Sequence, residues 1–389
     1  MHVFFSVGEP SGDQHAACLI EELRRRQPGL RVTGYGGPRM EQAGCQLLFP
    51  LTNMAVMGFF AVIPKIWEFY QLYRKARAYL ALHKPDVVVL VDFPGFNFWI
   101  AKAARAHGIP VAYYMPPQLW AWAPWRIKKV RKSVDLILSG LPFETDWYAS
   151  RGIPALYVGH PFFDEVVNHP LDASFLREWT PSRGQTVALL PGSRRHEVEH
   201  NWPLLQEAAR RLYARHPNTQ FLVANYKESQ RQWCLEEYRN SGAEVPLTFF
   251  VGKTSEIIQL ADCAMMVSGS VSLEMLARGT PATVVYSANW PTYFLGRLLV
   301  TIKYFSLPNL IAKQQLMPEH ICVGDPEPTI QALTADVDRW LSDPQALERI
   351  QTEFAELKRS IGATGATKRV AEVILHRWLT PPEELAKAA

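Results

Sequence analysis

Short apolar runs that alternate with helical patterns, twice over, constrain this chain more than any other feature. Asp86-Val-Val-Val-Leu-Val91 is continuous and β-branched, the pattern of a strand buried on both faces. Runs of the same kind recur at residues 2–7, 31–34, 111–114, 136–139 and 155–158. Between them lie stretches with apolar residues at helical spacing, such as residues 65–82 with Ile66, Phe69, Tyr70, Tyr73 and Leu80. The alternation starts afresh at residue 186, with strands expected at 186–190, 220–224, 248–251, 263–267 and 282–286 and a helix at 202–215. Strands alternating with helices build βαβ units and a mostly parallel sheet. A chain of 389 residues is long enough for two such cores. The expectation is an α/β protein with two doubly wound domains in series. The first spans residues 1–167 and the second 186–345, joined by a Pro-rich, polar linker at 168–185. A C-terminal helical tail, 346–389, is expected to pack back on the first domain or on a partner subunit.

Composition narrows the class. A net charge of +4 is too small to point to nucleic acid. The cations are clustered, however, at Arg24-Arg25-Arg26 and at Arg126-Ile-Lys-Lys-Val-Arg-Lys132. The first reads as a solvated helix end. The second lies in an aromatic setting that suits anionic head groups or a phosphorylated ligand. Five scattered cysteines without C-x-x-C spacing argue against zinc and against a disulfide framework, and favour a reducing compartment. The opening residues run into a strand pattern without a basic leader, so no signal peptide is expected. No apolar run reaches bilayer-spanning length; the nearest, 54–64, is followed at once by Lys65 and Glu68.

In open α/β sheets ligands sit beyond the carboxyl ends of the strands, so the loops after strands are where chemistry is expected. Neither half carries G-x-G-x-x-G or G-x-x-x-x-G-K-[ST], which disfavours dehydrogenase and ATPase readings. The run at 186–190 ends in Pro191-Gly-Ser-Arg194. A glycine at a strand-to-helix turn lets backbone N–H groups approach an anion, the helix dipole favours it, and Arg194 adds a permanent planar charge. Gly192, Ser193 and Arg194 read as a diphosphate cradle, or as an ordinary strand–helix turn. Val267-Ser-Gly-Ser-Val-Ser-Leu-Glu274 is a second loop of this type. Ser268, Gly269 and Ser270 offer N–H groups to phosphate and Glu274 suits ribose hydroxyls, with Ser270 as a plain N-cap the other reading.

The first half has its own loops. In Gly8-Glu-Pro-Ser-Gly-Asp13, Glu9 and Asp13 suit sugar hydroxyls beside Ser11 and Gly12; alternatively Ser11 or Asp13 caps the next helix. Asp92, in Asp92-Phe-Pro-Gly-Phe-Asn97, ends the most apolar strand of this half. Partial desolvation beside Phe93, Phe96 and Phe98 raises a carboxylate pKa toward what a general base needs. A helix cap, or a partner for a backbone N–H, is the alternative. Trp120, Trp122 and Trp125 fall within six residues and are followed by Arg126. Such a segment suits sugar rings, cation–π contacts or the membrane–water interface, or forms a Trp-rich core turn. His160 lies near a strand end and either borders the site or is structural.

Taken together, these segments resemble the lipid-A-disaccharide synthase family, inverting glycosyltransferases with two Rossmann-like domains (GT-B type). The resemblance rests on Gly8-Glu-Pro-Ser-Gly-Asp13, Gly37-Pro-Arg-Met40, Ala55-Val-Met-Gly58, Asp92-Phe-Pro-Gly-Phe-Asn97, Trp120-Ala-Trp122 with Arg126, Leu141-Pro-Phe-Glu144, Gly159-His160, Leu189-Leu-Pro-Gly-Ser-Arg194 with Glu197, and Ser306-Leu-Pro-Asn309. It implies condensation of UDP-2,3-diacylglucosamine with 2,3-diacylglucosamine 1-phosphate to a β-1,6 disaccharide 1-phosphate plus UDP. The reaction needs no metal or other cofactor and takes place at the cytoplasmic face of the inner membrane. Asp92 matches the proposed general base and Arg194 the donor-site arginine. The second domain is expected to hold UDP through Gly192, Ser193, Arg194, Glu197, Ser268, Gly269, Ser270, Glu274, Asn309 and Glu319. The first is expected to hold the acceptor through Glu9, Ser11, Gly12, Asp13, Asn97, Trp120, Trp122, Arg126 and His160. A peripheral membrane contact through residues 54–63 and the tryptophan loop is expected, and the resemblance hints at a homodimer. Three positions depart from the family pattern: Ser270 stands for Thr, Ala123-Pro124 precede Arg126, and Cys322 stands for a Gln. The alternatives are another UDP-sugar enzyme of this fold, such as a 2-epimerase, and a non-catalytic nucleotide-sugar-binding protein.

Overall fold

A computed structural model describes residues 1–54, 65–242, 244–300, 302–362 and 364–379. The chain divides into two compact units, one of Met1–Asp164 with the chain from Thr364 on, the other Glu165–Ala363. The first unit carries β1 (His2–Val7), β2 (Arg31–Tyr35), β3 (Gln46–Phe49), β4 (Val87–Val91), β5 (Val111–Tyr114), β6 (Leu136–Ser139) and β7 (Ala155–Tyr157). They form one parallel sheet in the order β3-β2-β1-β4-β5-β6-β7. The second carries β8 (Thr186–Leu190), β9 (Gln220–Asn225), β10 (Leu247–Val251), β11 (Cys263–Val267), β12 (Ala282–Ser287) and β13 (Glu319–Cys322). Its order is β10-β9-β8-β11-β12-β13, again parallel.

Period-two side-chain alternation explains why the first sheet needs helices on both faces. Phe4, Val88, Leu90 and Tyr113 join one core with the helices Ile66–His83, Pro94–Ala106 and Ile127–Ser133. Val3, Phe5, Val7, Val87, Val89 and Val91 face the other way, into a core completed by Leu19, Ile20 and Leu23 of the Pro10–Arg26 helix. Val370, Ala371 and Ile374 of the Ala366–Ile374 helix belong to this same core, which is why the chain returns to the first unit. The return is pinned by Asp164, which accepts from the Thr367 N–H at 3.1 Å, and by Arg369, which donates to the Val158 carbonyl at 2.8 Å. In the second unit Val187 and Leu189 pack with Trp202, Leu205 and Leu212 of the Arg195–Arg215 helix and with Leu333 and Val337 of the Glu327–Ser342 helix.

Each sheet has one place where strand order reverses, between β1 and β4 and between β8 and β11. The loops leaving those four strands flank the crevices where ligands of doubly wound folds bind. They are residues 8–13 and 92–97 in one unit, 191–194 and 268–270 in the other.

Several boundaries differ from expectation. Residues 168–185 are not a bare linker: Asp172 caps the helix Ala173–Trp179 and pairs with Lys253 at 2.6 Å, and Phe175 and Trp179 pack on Phe250. The helix Pro344–Ser360 belongs to the second unit, where Lys358 donates to the Ala277 carbonyl; only the chain from Thr364 joins the first. The helix expected at 202–215 starts seven residues earlier, at Arg195, and accommodates Pro203. Strands β3 and β13 were not expected. Both are short sheet edges whose residues are mostly only half-buried; β13 lacks an apolar run, and β3 has only the three residues Leu47-Leu48-Phe49. The apolar segment 55–64, including Ala55-Val-Met-Gly58, and the C-terminal residues from 380 lie outside the described residues.

Candidate active site

In the first unit β4 delivers Asp92 to the end of the sheet, and the Pro94–Ala106 helix starts two residues later. Asp92 is half-buried, and burial pushes its pKa up, partly opposed by the Phe93 N–H, which donates to Oδ1 at 3.0 Å, and by nearby His15. Asn97 is wholly buried and does not face a ligand as expected. Its amide donates to the carbonyls of Ser6, Val91 and Asp92 at 3.2, 3.2 and 2.7 Å, and its Oδ1 accepts from Ser6 Oγ at 2.6 Å. Tyr113 Oη also donates to the Asp92 carbonyl, at 2.7 Å. Asn97 thus fixes the backbone beneath Asp92.

The glycine loop after β1 separates into two kinds of residue. Glu9 is half-buried and Ser11 exposed, both at the start of the Pro10–Arg26 helix. Gly12 is a close-approach position, since a Cβ there would sit 3.0 Å from Val7 Cγ1. Asp13 is buried, and its carboxylate accepts from the N–H groups of Gly37, Arg39 and Met40 at 3.0–3.1 Å. It caps the Pro38–Gln42 helix, so the sugar contact expected of it is replaced by a structural one.

The tryptophan loop also divides. Trp120 is buried and donates to Glu144 Oε1 at 2.7 Å, while Ser139 Oγ donates to Oε2 at 2.7 Å. Burial raises the Glu144 pKa to about 7, against those hydrogen bonds. Trp122 and Trp125 are exposed, and the Arg126 guanidinium stacks between Trp122 and Phe98, 5.7 and 5.2 Å from the ring centres. His160 is buried edge-on to His15, with ring centres 6.3 Å apart, and burial lowers its pKa to about 3. It is therefore neutral at physiological pH. His15, one turn into the first helix, was missed; only its position three residues beyond Gly12 signals it.

In the second unit Gly192 has φ +119°, and a Cβ there would meet Glu197 Cβ at 2.9 Å. Glycine is thus required where the chain turns from β8 into the helix. The Glu197 carboxylate accepts from the N–H groups of Ser193 and Arg194, at 3.2 and 3.1 Å, and from Arg194 Nη1 at 2.7 Å. Gln230 donates to the Ser193 carbonyl at 2.8 Å and fixes the turn from behind. The three donors converge on one carboxylate, so the loop holds an anion supplied by the chain itself.

Gly192, Ser193, Arg194, Glu197, Ser268, Gly269 and Ser270 line one cleft of about 290 Å³. Tyr226 and Thr254, neither singled out from the sequence, line it too. Tyr226 directly follows β9, a loop position of the same kind as the others. The remaining expected donor residues are engaged elsewhere. Glu274 is buried and pairs with buried Arg278 at 2.8 Å. Asn309 is buried and accepts from the Leu316 and Met317 N–H groups at 2.7 and 2.8 Å. Glu319 accepts from the N–H groups of Phe305 and Ser306 at 3.0 and 2.8 Å and from Asn309 Nδ2 at 2.7 Å. All three brace the surrounding chain through these contacts. Ser268 Oγ donates to the Phe305 carbonyl at 3.1 Å, tying that brace to the cleft wall.

His196-Glu-Val-Glu-His200 has the H-E-x-x-H spacing of zinc metalloproteases, a signal absent from the expectations above. The geometry does not support it. Glu197 is committed to the turn, and His200 Nδ1 lies 2.7 Å from the His196 carbonyl, to which it donates. Among the described residues no group of three or more His, Cys, Asp or Glu is placed to hold a metal ion.

The sequence pattern of the lipid-A-disaccharide synthetase family matches residues 3–359. The chain belongs to that family. A lipid-A-disaccharide synthase from Anaeromyxobacter dehalogenans (strain 2CP-1 / ATCC BAA-258) is 36% identical over 373 residues, covering 96% of each chain. In fold, the chain resembles a UDP-GlcNAc 2-epimerase from Neisseria meningitidis solved with UDP-GlcNAc, at TM-score 0.65 and 13% identity over 97% of this chain and all of that one. It also resembles the calicheamicin glycosyltransferase, at TM-score 0.58 and 16% identity over 98% and 99% of the two chains. Its fold is of the GT-B type, and it is a hexosyltransferase of lipid A disaccharide synthesis. Among the described residues no helix is long and apolar enough to cross a membrane.

Proposed function

We propose that the chain transfers the diacylglucosaminyl unit of UDP-2,3-diacylglucosamine to the 6-hydroxyl of 2,3-diacylglucosamine 1-phosphate, without a metal. The observation that carries this reading is the cleft lined by both the Gly192–Arg194 turn and Ser268–Ser270, loops that leave the two strands where the sheet order reverses, with the half-exposed Arg194 side chain in its wall. A diphosphate in this cleft meets the N-terminal end of a 21-residue helix and the guanidinium N–H groups of Arg194 other than the Nη1 that Glu197 engages. Asp92, with its pKa raised by burial, takes the proton of the acceptor hydroxyl. That oxygen bonds to the anomeric carbon from the face opposite UDP, so the configuration inverts. The bond from carbon to the β-phosphate oxygen breaks, and Arg194 with the positive end of the helix dipole takes up the charge that develops on UDP. Tyr226 offers an aromatic surface in the same cleft for the base.

The acylated substrates call for a lipid surface. Exposed Trp67, Tyr70, Trp122 and Trp125, with exposed Lys128 and Lys129, support peripheral contact with an anionic cytoplasmic leaflet. The test compares Arg194→Ala with the wild type on both substrates. Turnover is expected to fall about 10²–10³-fold, the cost of losing one donor to a developing anion. Because the Arg194 side chain is 49% exposed, the thermal midpoint should move by no more than about 2 °C. Unchanged turnover would sink the reading.

A further inference from the structure

The second unit holds a larger cavity that the donor cleft does not account for. It measures about 700 Å³ and shares Arg194, Glu197 and Ser268 with that cleft. From there it runs to the Trp290–Leu299 helix, which contributes Tyr293, Gly296 and Arg297 to its wall. On the sheet side lie Tyr286 of β12 and Ile321 of β13, which are register partners. They are 37% and 48% exposed. β12 is an interior strand, whose faces are ordinarily both covered, and β13 is the sheet edge beside it; their exposed apolar pair is an open patch. The volume lies in the range of about 300–1,000 Å³ typical of ligand sites, which pair an apolar lining with a few placed polar groups. Here an anion-holding arginine stands where the cavity meets the donor cleft, and Tyr286, Val300, Ile302 and Ile321 supply apolar wall.

We propose that this cavity binds an acyl chain of the nucleotide-linked sugar donor. The assignment rests on the donor reading given above and extends it to the lipid part of the molecule. The chain covers the Tyr286–Ile321 pair, and Arg194 marks the end at which the sugar diphosphate sits. The site is then a gauge of acyl length or branching carried by the same unit that holds the nucleotide.

The test is calorimetric titration of the full chain with UDP, UDP-glucosamine and short-chain UDP-2,3-diacylglucosamines that stay monomeric in solution. Affinity is expected to rise about fourfold per methylene within the series. Two variants address the cavity from different sides. Gly296→Leu fills it, and a Cβ at Gly296 meets nothing within 4 Å. Ile321→Ser makes the sheet side polar at a half-exposed position. Each should lower the ratio of acyl-donor to UDP affinity at least tenfold, with UDP binding itself reporting that the variant is folded. Normal UDP binding with a flat acyl series, or a chain-length dependence kept in both variants, overturns the cavity assignment and leaves the nucleotide reading standing. Absence of UDP binding in the wild type overturns both.

Discussion

Asp92 and Phe93 take positive φ in succession, +49° and +46°. For non-glycine residues, and for a bulky Phe above all, this costs on the order of 1–2 kcal/mol each. Asn97 holds the strained turn through three carbonyls, one of them that of Asp92. A carboxylate fixed in this way and partly desolvated suits a base that must be ionised to work. Asp92→Asn is therefore expected to lower kcat by about 10²–10⁴. In the wild type, the acid limb of the kcat/KM profile should lie above the ordinary aspartate value near 3.9. A limb at that ordinary value would remove Asp92 as the base. The sequence singled out the loops that leave the strands at the order reversals but not what each side chain in them meets. Asp13 and Asp92 both follow strands and both precede or open helices, yet one caps a helix that begins 25 residues later and the other does not. The partners of Asp13, Asn309 and Glu319 include backbone N–H groups that only the tertiary fold brings near, so no local pattern could tell braces from ligands.

At the scale of elements, the central strands show why an apolar run reads as a strand. Val87–Val91 is apolar throughout because both sheet faces are covered, and it was readable as a strand. The four-residue edges β3 and β13 were not expected, although the half-buried edges β7 and β10 were. The link between the segments after β5 and β6 was equally hidden, since it depends on Trp120, Ser139 and Glu144 meeting in the core. That link carries a pH signature. Burial raises the Glu144 pKa from 4.5 to about 7, so between those values the folded chain binds more protons than the unfolded one. Stability from this group is full below pH 4.5 and falls as pH rises to about 7, by on the order of 3 kcal/mol. Glu144→Gln keeps an acceptor but cannot ionise. The stability difference between wild type and variant, from urea titrations, should shift toward the variant across that window and be flat above it. A pH-independent difference would contradict the cause assigned here.

At the scale of the molecule, two sheets of one topology each carry a loop pair at the point where strand order reverses. This doubling was legible from the repeated alternation of runs; the return of the chain to the first unit was one of two expected alternatives for the tail, with its start put at 346 where the chain returns from Thr364. Val370 and Ile374 complete the core under β1 and β4, and Leu379 adds to it. Burying three such side chains contributes up to about 5–9 kcal/mol, comparable to the whole stability of a domain. Ending the chain after residue 363 should thus unfold the first unit and leave the second with its own cooperative transition, visible as the loss of one of two calorimetric events. On the proposed reading, activity requires Asp92 of the first unit and Arg194 of the second. The most direct measurement is the stoichiometry of UDP and disaccharide formed from UDP-2,3-diacylglucosamine by the full chain in EDTA, with 2,3-diacylglucosamine 1-phosphate present or withheld. The expected result is equal amounts of both products, and only when the acceptor is present. Turnover of the donor without acceptor, or UDP-sugar bound with no disaccharide formed, would contradict it.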